Sequence, residues 1–299
     1  MANNGVKIVL VGGLGNQLFG YFFGRQLERQ TGKRIEFDVS SQYYGMAAHE
    51  VSIQDLKLPG TFSHSRQKPS LVVRIGASIH RRALPFLTQL GLHKHSKVYR
   101  SLETGYDDKA LEAQGKSEFR GYFQSWKYLE GLDPIIFSDF FAPRNPSKWY
   151  LSALEEVERQ KPIAIHVRRG DYKSLTDVFG LLSEEYYLSA LKALSMKVGD
   201  APIWVFSDDI GAAKVMLNPL EVSSLNFVLP PPESSSVESL LIMSKCRALI
   251  MANSTFSWWA GYLMNQPGSV IAPTPFFKNL QEPRDFIPQD WLRLGSTWV

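Results

Sequence analysis

The chain has 299 residues, of which 44% are hydrophobic and 21% are charged, and its net charge is +4. This is the composition of an ordinary globular protein, and the single cysteine excludes an intrachain disulfide. The sequence contains no HExxH motif and no pair of cysteines, so no metal site is predicted. No apolar run approaches the roughly 20 residues that span a bilayer, and no signal segment is seen, which predicts a cytoplasmic protein.

The first half of the chain begins with a predicted strand at 6–11, a glycine-rich turn and a helix at 18–29. A second strand follows at 34–39. Strand, glycine turn and helix in this order open many α/β domains. Residues 40–118 are predicted to be mixed helices and loops. Later elements of this half are a strand at 119–124 and a short helix at 133–141.

The second half alternates regularly between strands and helices, which predicts a parallel, nucleotide-binding sheet. The predicted strands are 162–167, 202–206, 225–229, 248–252 and 269–272. The predicted helices are 148–159, 183–197, 210–217, 237–245 and 255–265. A proline-rich cluster at 142–147 favours a boundary between domains 1–147 and 148–299. Cys246 lies in an apolar segment, which predicts a buried structural thiol.

Residues 163–171 are the most informative segment, because an apolar strand ends there in two arginines, a glycine and an aspartate. Side chains alternate along a strand, so His166 and Arg168 are predicted to share one face. A guanidinium at the carboxyl end of a strand suits a diphosphate or another dianion. The alternative is an arginine–aspartate pair that holds a loop.

The sequence His166-Val167-Arg168-Arg169-Gly170-Asp171-Tyr172 resembles the H-x-R-R-x-D-Y motif of bacterial α-1,2-fucosyltransferases, glycosyltransferase family 11. Four further segments, at 12–19, 121–125, 206–209 and 252–259, are similar to other motifs of that family, in the same order. The resemblance implies a GT-B-like α/β fold, in which two Rossmann-like domains face a cleft and the donor nucleotide binds the C-terminal domain.

The resemblance also implies an inverting α-1,2-fucosyltransferase that transfers L-fucose from GDP-fucose to the 2-hydroxyl of a terminal β-galactoside. Such a reaction fits lipopolysaccharide or oligosaccharide biosynthesis, and the family is understood to need no metal or other cofactor. Two alternatives stay open. One is a fucosyltransferase of another linkage, such as α-1,6, and the other is a non-catalytic glycan-binding protein of the same fold.

Arg168 is the first candidate to neutralise the charge on the leaving GDP. Asp171 either orients the arginines or acts as the base, for which His49 and Glu50 are alternatives. Asn16 completes the catalytic candidates. The residues predicted to bind a substrate or the nucleotide come from the glycine turn, two strand ends and two helix starts: Gly13, Gly15, Gln17, His166, Arg169, Asp208, Asp209, Glu238, Asn253, Ser254, Thr255 and Phe256.

Each of these positions also has a purely structural interpretation. The glycine turn, which is predicted to let the backbone and the Asn16-Gln17 amides face a ligand, can be a plain tight turn. Asn253 or Ser254 can serve only as a helix N-cap, and one of the two aspartates at 208–209 can cap the helix at 210. Trp258 and Trp259 are predicted to pack in the core rather than to form a sugar platform.

The segment 66–100 is rich in arginine, lysine and histidine and contains no acidic residue. Such a patch fits an anionic membrane surface at the inner face of the membrane, or an anionic lipid-linked acceptor. The alternative is a solvated basic face without a partner. No nucleic-acid motif accompanies the patch, so no nucleic-acid partner is expected.

Overall fold

The computed structural model describes residues 5–40, 51–64, 97–170, 176–218 and 225–299. The chain divides into two compact units. The first unit comprises Met1–Gly12, Asn16–Val51 and Pro59–Leu132, and the second comprises Gly13–Gly15, Ser52–Leu58 and Asp133–Val299. The predicted domain boundary at 147/148 falls inside the second unit and stays a prediction.

The first unit has a parallel sheet of five strands in the order β3-β2-β1-β5-β4. The strands are β1 Val6–Val9, β2 Ile35–Asp38, β3 Thr61–Ser63, β4 Val98–Arg100 and β5 Glu118–Arg120. Its helices are α1 Leu14–Thr31 and α2 Asp108–Glu112, with a 3-10 turn at Trp126–Leu129. The predicted strand, turn, helix and strand are confirmed, but α1 begins at Leu14, so the glycine turn is shorter than expected.

The order of the strands in the first sheet reverses between β1 and β5. From β1 the chain continues outward through β2 to β3, whereas β4 and β5 lie on the other side of β1. Ile8 at the centre of β1 is paired with Phe37 of β2 and with Phe119 of β5, and all three side chains are buried. Ligands of open parallel sheets bind beside the carboxyl ends of strands at such a reversal.

The second unit has a parallel sheet of six strands in the order β11-β10-β9-β6-β7-β8. The strands are β6 Ile163–Val167, β7 Ile203–Ser207, β8 Leu225–Phe227, β9 Ala248–Ile250, β10 Val270–Thr274 and β11 Leu292–Gly295. This confirms the predicted alternation, although β11 was not predicted. Here the order reverses between β6 and β9.

The helices of the second unit alternate with its strands. They are α3 Ile135–Ser138, α4 Lys148–Gln160, α5 Thr176–Phe179, α6 Glu184–Val198, α7 Ile210–Leu217, α8 Ser236–Ser244 and α9 Thr255–Met264. A 3-10 turn at Ser52–Asp55 also belongs to this unit. The predicted helix at 133–141 is therefore confined to α3. Ser147, Ser235 and Ser254 each accept a hydrogen bond from a backbone N–H of the helix that follows, as N-caps do.

The odd-numbered residues of β6 face the main core of the second unit. Ile163, Ile165 and Val167 pack in one cluster with Tyr187 and Leu194 of α6. The even-numbered Ala164 and His166 therefore point to the opposite face of the sheet. Continued beyond β6, this alternation predicts Arg168 on the face of His166 and Arg169 on the face of the core.

The predictions for the apolar segments around Cys246 and Trp258 are confirmed. Cys246 is buried, and burial raises the pKa of its thiol. Trp258 and Trp259 are fully buried, and their indole N–H groups donate to the carbonyls of Phe286 and Gly15, both at 2.9 Å. The two tryptophans are core residues of the second unit.

Among the described residues, no helix is both long enough and apolar enough to cross a membrane. Most of the predicted basic segment, residues 66–96, lies outside the described residues. Its contact with an anionic membrane stays a prediction.

Candidate functional site

The carboxyl ends of β6 and β9 lie side by side at the strand-order reversal of the second sheet. Ile165 of β6 is paired with Ile250 of β9. The chain leaves β6 through Arg168, Arg169 and Gly170, and it leaves β9 toward the N-terminus of α9. Two of the predicted motifs therefore meet at the place where an open parallel sheet binds its ligands.

His166 joins these two motifs through its ring. The side chain is only 4% exposed, and its ring centroid lies 5.6 Å from that of Phe256 in the first turn of α9. Its Nδ1 atom is buried and has no hydrogen-bond partner among the described residues. Burial, and to a lesser extent the charge of Arg168, lowers the pKa of His166 to about 3. The imidazole is therefore neutral at physiological pH.

Arg168 and Arg169 point in different directions. The side chain of Arg168 is 26% exposed, and its Nε lies 3.2 Å from Oδ2 of Asp208. Arg169 is buried, donates from Nη2 to the carbonyl of Leu182 at 2.7 Å and contacts the sulfur of Met216. Burial lowers the pKa of Arg169. Arg168 thus follows the face of His166, as strand alternation predicts, and Arg169 is fixed in the interior.

The N-terminus of α9 adds backbone donors to this face. Ser254 is the N-cap, since its Oγ accepts the N–H of Phe256 at 3.3 Å. Thr255 opens the helix and is half-buried. The first N–H groups of a helix have no partner within the helix, and together with the helix dipole they favour an anion. The capping interpretation of Ser254 is observed and is compatible with an anion site.

The two predicted aspartates after β7 have different partners. Asp209 caps α7, because its Oδ1 accepts the N–H of Ala212 at 2.9 Å. Asp208 reaches across to the neighbouring strand end. Its two carboxylate oxygens accept the backbone N–H groups of Arg169 at 2.8 Å and Gly170 at 2.9 Å. The structural alternative considered for these acids is therefore observed for Asp209.

In the first unit, the corresponding reversal is lined by amides. Oδ1 of Asn16 accepts a hydrogen bond from Nε2 of Gln124 at 2.8 Å, which joins the glycine-rich motif after β1 to the motif after β5. Gln17 is fully buried, and its Nε2 donates to the carbonyl of Gly12 at 2.9 Å. The prediction that Gln17 faces a ligand is therefore wrong, since its side chain supports the turn.

The glycines of this turn serve packing. Gly12 has φ of 72°, the left-handed conformation that glycine adopts at little cost. A Cβ at Gly15 would lie 2.5 Å from the carbonyl carbon of Thr255, so the close approach of α9 requires glycine there. The ligand role predicted for Gly15 stays a prediction. Gly13 is half-buried beside it.

Comparison with known proteins agrees with these motifs. The sequence model of Glycosyl transferase family 11 matches residues 152–293. The Escherichia coli protein named alpha-1,2-colitosyltransferase is 28% identical over 297 residues, which are 95% of this chain and 97% of that protein. The family model covers just under half of the chain, so the C-terminal half is similar to glycosyl transferase family 11. The family match and the relative that matches over nearly the whole length together support a glycosyltransferase.

Two solved structures share the fold of this glycosyltransferase. Fucosyltransferase NodZ from Bradyrhizobium matches with a TM-score of 0.50 at 14% identity, covering 88% of this chain and 94% of that one. ADP-heptose lps heptosyltransferase II from E. coli matches with a TM-score of 0.52 at 10% identity, covering 97% and 89%. The two α/β units have the GT-B fold, which confirms the predicted fold class.

Of three other predicted site residues of the glycosyltransferase, two are buried and one lies outside the described residues. Glu238 is 1% exposed and accepts hydrogen bonds from the N–H and the hydroxyl of Ser147 at 2.6 and 2.8 Å, so it supports the start of α4. Asn253 is 1% exposed and donates to the carbonyls of Phe179 and Gly180. Asp171 lies outside the described residues, as do His49 and Glu50.

Two contacts of the glycosyltransferase site were not predicted. Gln124 lies in the motif at 121–125 and was not predicted as a site residue, yet it donates a hydrogen bond to the Asn16 amide oxygen. Asp208 was predicted as a nucleotide ligand, yet it contacts Arg168 and the residues that follow it. Within the described ranges, no group of three or more histidine, cysteine, aspartate or glutamate side chains could hold a metal ion.

Proposed function

We propose that this glycosyltransferase transfers L-fucose from GDP-fucose to the 2-hydroxyl of a terminal β-galactoside, with inversion at the sugar carbon. The observation that carries the proposal is the 5.6 Å contact between His166 and Phe256. It brings the strand end that bears Arg168 to the N-terminus of α9. A guanidinium and a helix N-terminus at one sheet reversal form a site for a diphosphate.

The chemistry follows from the charge that develops as the bond between fucose and phosphate lengthens. The sugar becomes similar to an oxocarbenium ion, and negative charge accumulates on the departing GDP. Arg168 can contact the phosphates through its planar guanidinium, and the N–H groups at the start of α9 add further donors, with the hydroxyls of Ser254 and Thr255. Interactions that strengthen with this charge accelerate the reaction.

His166 suits a nucleotide site because its imidazole is neutral. A buried cation at this position would repel Arg168, whereas the neutral ring leaves the positive charge of Arg168 available for a phosphate. Its Nδ1 has no hydrogen-bond partner among the described residues and is a candidate contact for the nucleoside. Asn16, held by Gln124 at the reversal of the first sheet, is proposed to serve the acceptor.

The name of one relative supports a second donor sugar, colitose. The match that covers 95% of this chain is named an alpha-1,2-colitosyltransferase. Colitose differs from fucose by the absence of the 3-hydroxyl, so the two sugars can share the diphosphate site and the transfer chemistry. That name also supports the α-1,2 linkage rather than α-1,6 for this chain.

A matrix of donors and acceptors tests the proposal. GDP-fucose and GDP-colitose are each incubated with lactose, N-acetyllactosamine, a galactosyl-β-1,3 acceptor and a matched lactose lacking the galactose 2-hydroxyl. We expect an α-1,2-linked product from GDP-fucose, identified by NMR, and none from the 2-deoxy acceptor. A β-fucoside, a 6-linked product or hydrolysis without transfer would each contradict the proposal, and faster turnover of GDP-colitose would favour the second donor.

A further inference from the structure

The carboxylate of Asp208 has three partners at the end of the neighbouring strand. Oδ1 accepts the N–H of Arg169 at 2.8 Å, Oδ2 accepts the N–H of Gly170 at 2.9 Å, and Oδ2 also lies 3.2 Å from Nε of Arg168. Asp208 follows β7, whereas its three partners all follow β6. One side chain therefore fixes the course of the chain where the arginine leaves the sheet.

The contact with Arg168 leaves the guanidinium compatible with a phosphate contact. The carboxylate approaches Nε, and a bidentate contact to a phosphate uses two nitrogens of the guanidinium plane. The side chains of Arg168 and Asp208 are 26% and 23% exposed, so the pair lies at the surface of the sheet edge and not in the core. Both oxygens of Asp208 already accept backbone hydrogen bonds, which leaves little capacity for a ribose or base.

Gly170 is required by the same arrangement. A Cβ on Gly170 would lie 2.5 Å from Oδ2 of Asp208, which is too close for the carboxylate to keep its place, and 3.2 Å from its carboxyl carbon. The sequence therefore provides both the carboxylate and the space that it occupies. The carboxylate can be disturbed from either side, by changing Asp208 or by adding one methyl group at 170.

We propose that Asp208 is a positioning residue, which sets the direction of Arg168 toward the donor diphosphate and does not contact the nucleotide itself. This inference rests on the proposed function, since it concerns the same donor site. It assigns to Asp208 a role that differs from the ribose or guanine contact expected from the sequence.

Calorimetric titration of the full chain with GDP and with guanosine separates the two roles. The variants are Asp208→Asn, Arg168→Ala and the double variant. Asparagine keeps one acceptor oxygen but places an N–H₂ donor against an N–H or the guanidinium. We expect Asp208→Asn to raise the dissociation constant for GDP roughly 10-fold or more, as the loss of charge-assisted hydrogen bonds does. The dissociation constant for guanosine should change by less than about twofold. In the double variant, the loss should be close to that of Arg168→Ala alone.

Equal losses of affinity for GDP and guanosine would identify Asp208 as a nucleoside ligand and overturn the proposal. A double variant whose loss of GDP affinity equals the product of the two single losses would also overturn it, because Asp208 would then act independently of Arg168. Gly170→Ala provides a second variant that retains the carboxylate, and it should reproduce the selective loss of GDP. Asp139→Asn is the matched control, since Asp139 is exposed and its carboxylate accepts the hydroxyl of the neighbouring Ser138.

Amide hydrogen exchange without ligand separates this proposal from the proposed function. Asp208→Asn should accelerate exchange at the N–H groups of Arg169 and Gly170, whether or not the protein uses GDP-fucose. If the wild-type protein binds no GDP, the proposed function fails, while faster exchange at these two amides still supports the contact. Unchanged exchange at both amides would overturn the positioning role.

Discussion

The strand order reverses once in each sheet, yet the polar side chains at the two reversals differ in how far they form hydrogen bonds within the protein. In the first unit, Gln17 and the pair of Asn16 and Gln124 form hydrogen bonds within the protein, and no charged side chain takes part in them. In the second unit, Arg168 is partly exposed and the Nδ1 of His166 has no hydrogen-bond partner among the described residues. The same topology therefore supports a turn in one unit and a candidate anion site in the other.

This difference follows from the residue types after each strand. Neutral amides can form hydrogen bonds with one another and, once they are paired, can be buried without burying a charge. A guanidinium stays charged and is costly to bury without a partner, so its natural place is a strand end near solvent. Residues at the first reversal should thus affect stability most, and residues at the second should affect donor use most.

The largest expected effect comes from Arg168→Lys. Lysine keeps the charge but loses the planar fork, so kcat/KM with GDP-fucose should fall roughly 10²–10³-fold, or about 3–4 kcal/mol in the transition state. The melting temperature should change little, because the side chain is partly exposed. Steady-state kinetics and thermal unfolding measure both quantities.

Two further arginine variants serve as comparisons for Arg168→Lys. Arg159→Lys on α4 is the surface control, since the side chain is 69% exposed and pairs with Glu156 within one helix. Arg169→Lys should lose stability more than turnover, because its guanidinium donates to a buried carbonyl. Near-normal turnover in Arg168→Lys together with loss in Arg169→Lys would mean that the wrong arginine has been assigned to the donor.

The next largest effect is a pH dependence of stability caused by His166. Its pKa is lowered to about 3 in the folded protein, so the unfolded chain binds a proton near pH 6.5 that the folded protein does not bind. Stability is therefore fully present above about pH 6.5 and falls as the pH is lowered toward 3. At pH 5 the loss from this group should be about 2 kcal/mol.

Denaturant unfolding at pH 7.5 and pH 5 checks this effect. His166→Gln should remove the part of the pH dependence that His166 causes, whereas the control His64→Gln, at an exposed histidine of the first unit, should retain it. An equal pH dependence in His166→Gln and the wild type would show that the folded protein can protonate His166, which would remove the reason for regarding its ring as neutral.

How far these residues could be predicted depends on the range of their contacts. The alternation along β6 is local, and it places His166 on the face opposite the core cluster of Ile163, Ile165 and Val167. The contact of Glu238 with Ser147 joins residues 91 positions apart, and that of Asp208 with Arg169 joins residues 39 apart. Hydrophobic periodicity along the sequence carries no information about contacts between residues so far apart. Strand β11 is short and half-exposed, so its pattern is too weak to distinguish it from a loop.

A smaller effect is expected at the reversal of the first sheet. Gln17→Ala removes a fully buried amide and leaves the carbonyl of Gly12 without the donor that it has at 2.9 Å. The free energy of unfolding should fall by about 1–3 kcal/mol, while the dissociation constant for GDP should be unchanged. The exposed Gln114→Ala is the control and should affect neither. Weaker GDP binding in Gln17→Ala at full stability would contradict the division of roles between the two reversals.

The smallest expected effect is that of a chelator. Charge on the leaving diphosphate can be balanced by Arg168 and the N-terminus of α9, and the described residues contain no cluster of metal-ligating side chains that would hold a cation beside them. Transfer from GDP-fucose in excess EDTA should therefore stay within about twofold of the untreated rate, since positive charge on the protein replaces the usual divalent ion. The control is the same assay after Mg²⁺ or Mn²⁺ is added back. A large loss in EDTA that either ion restores would show that Arg168 does not suffice, and it would move the search for donor-binding residues to carboxylates outside the described ranges, with Asp171 first among them.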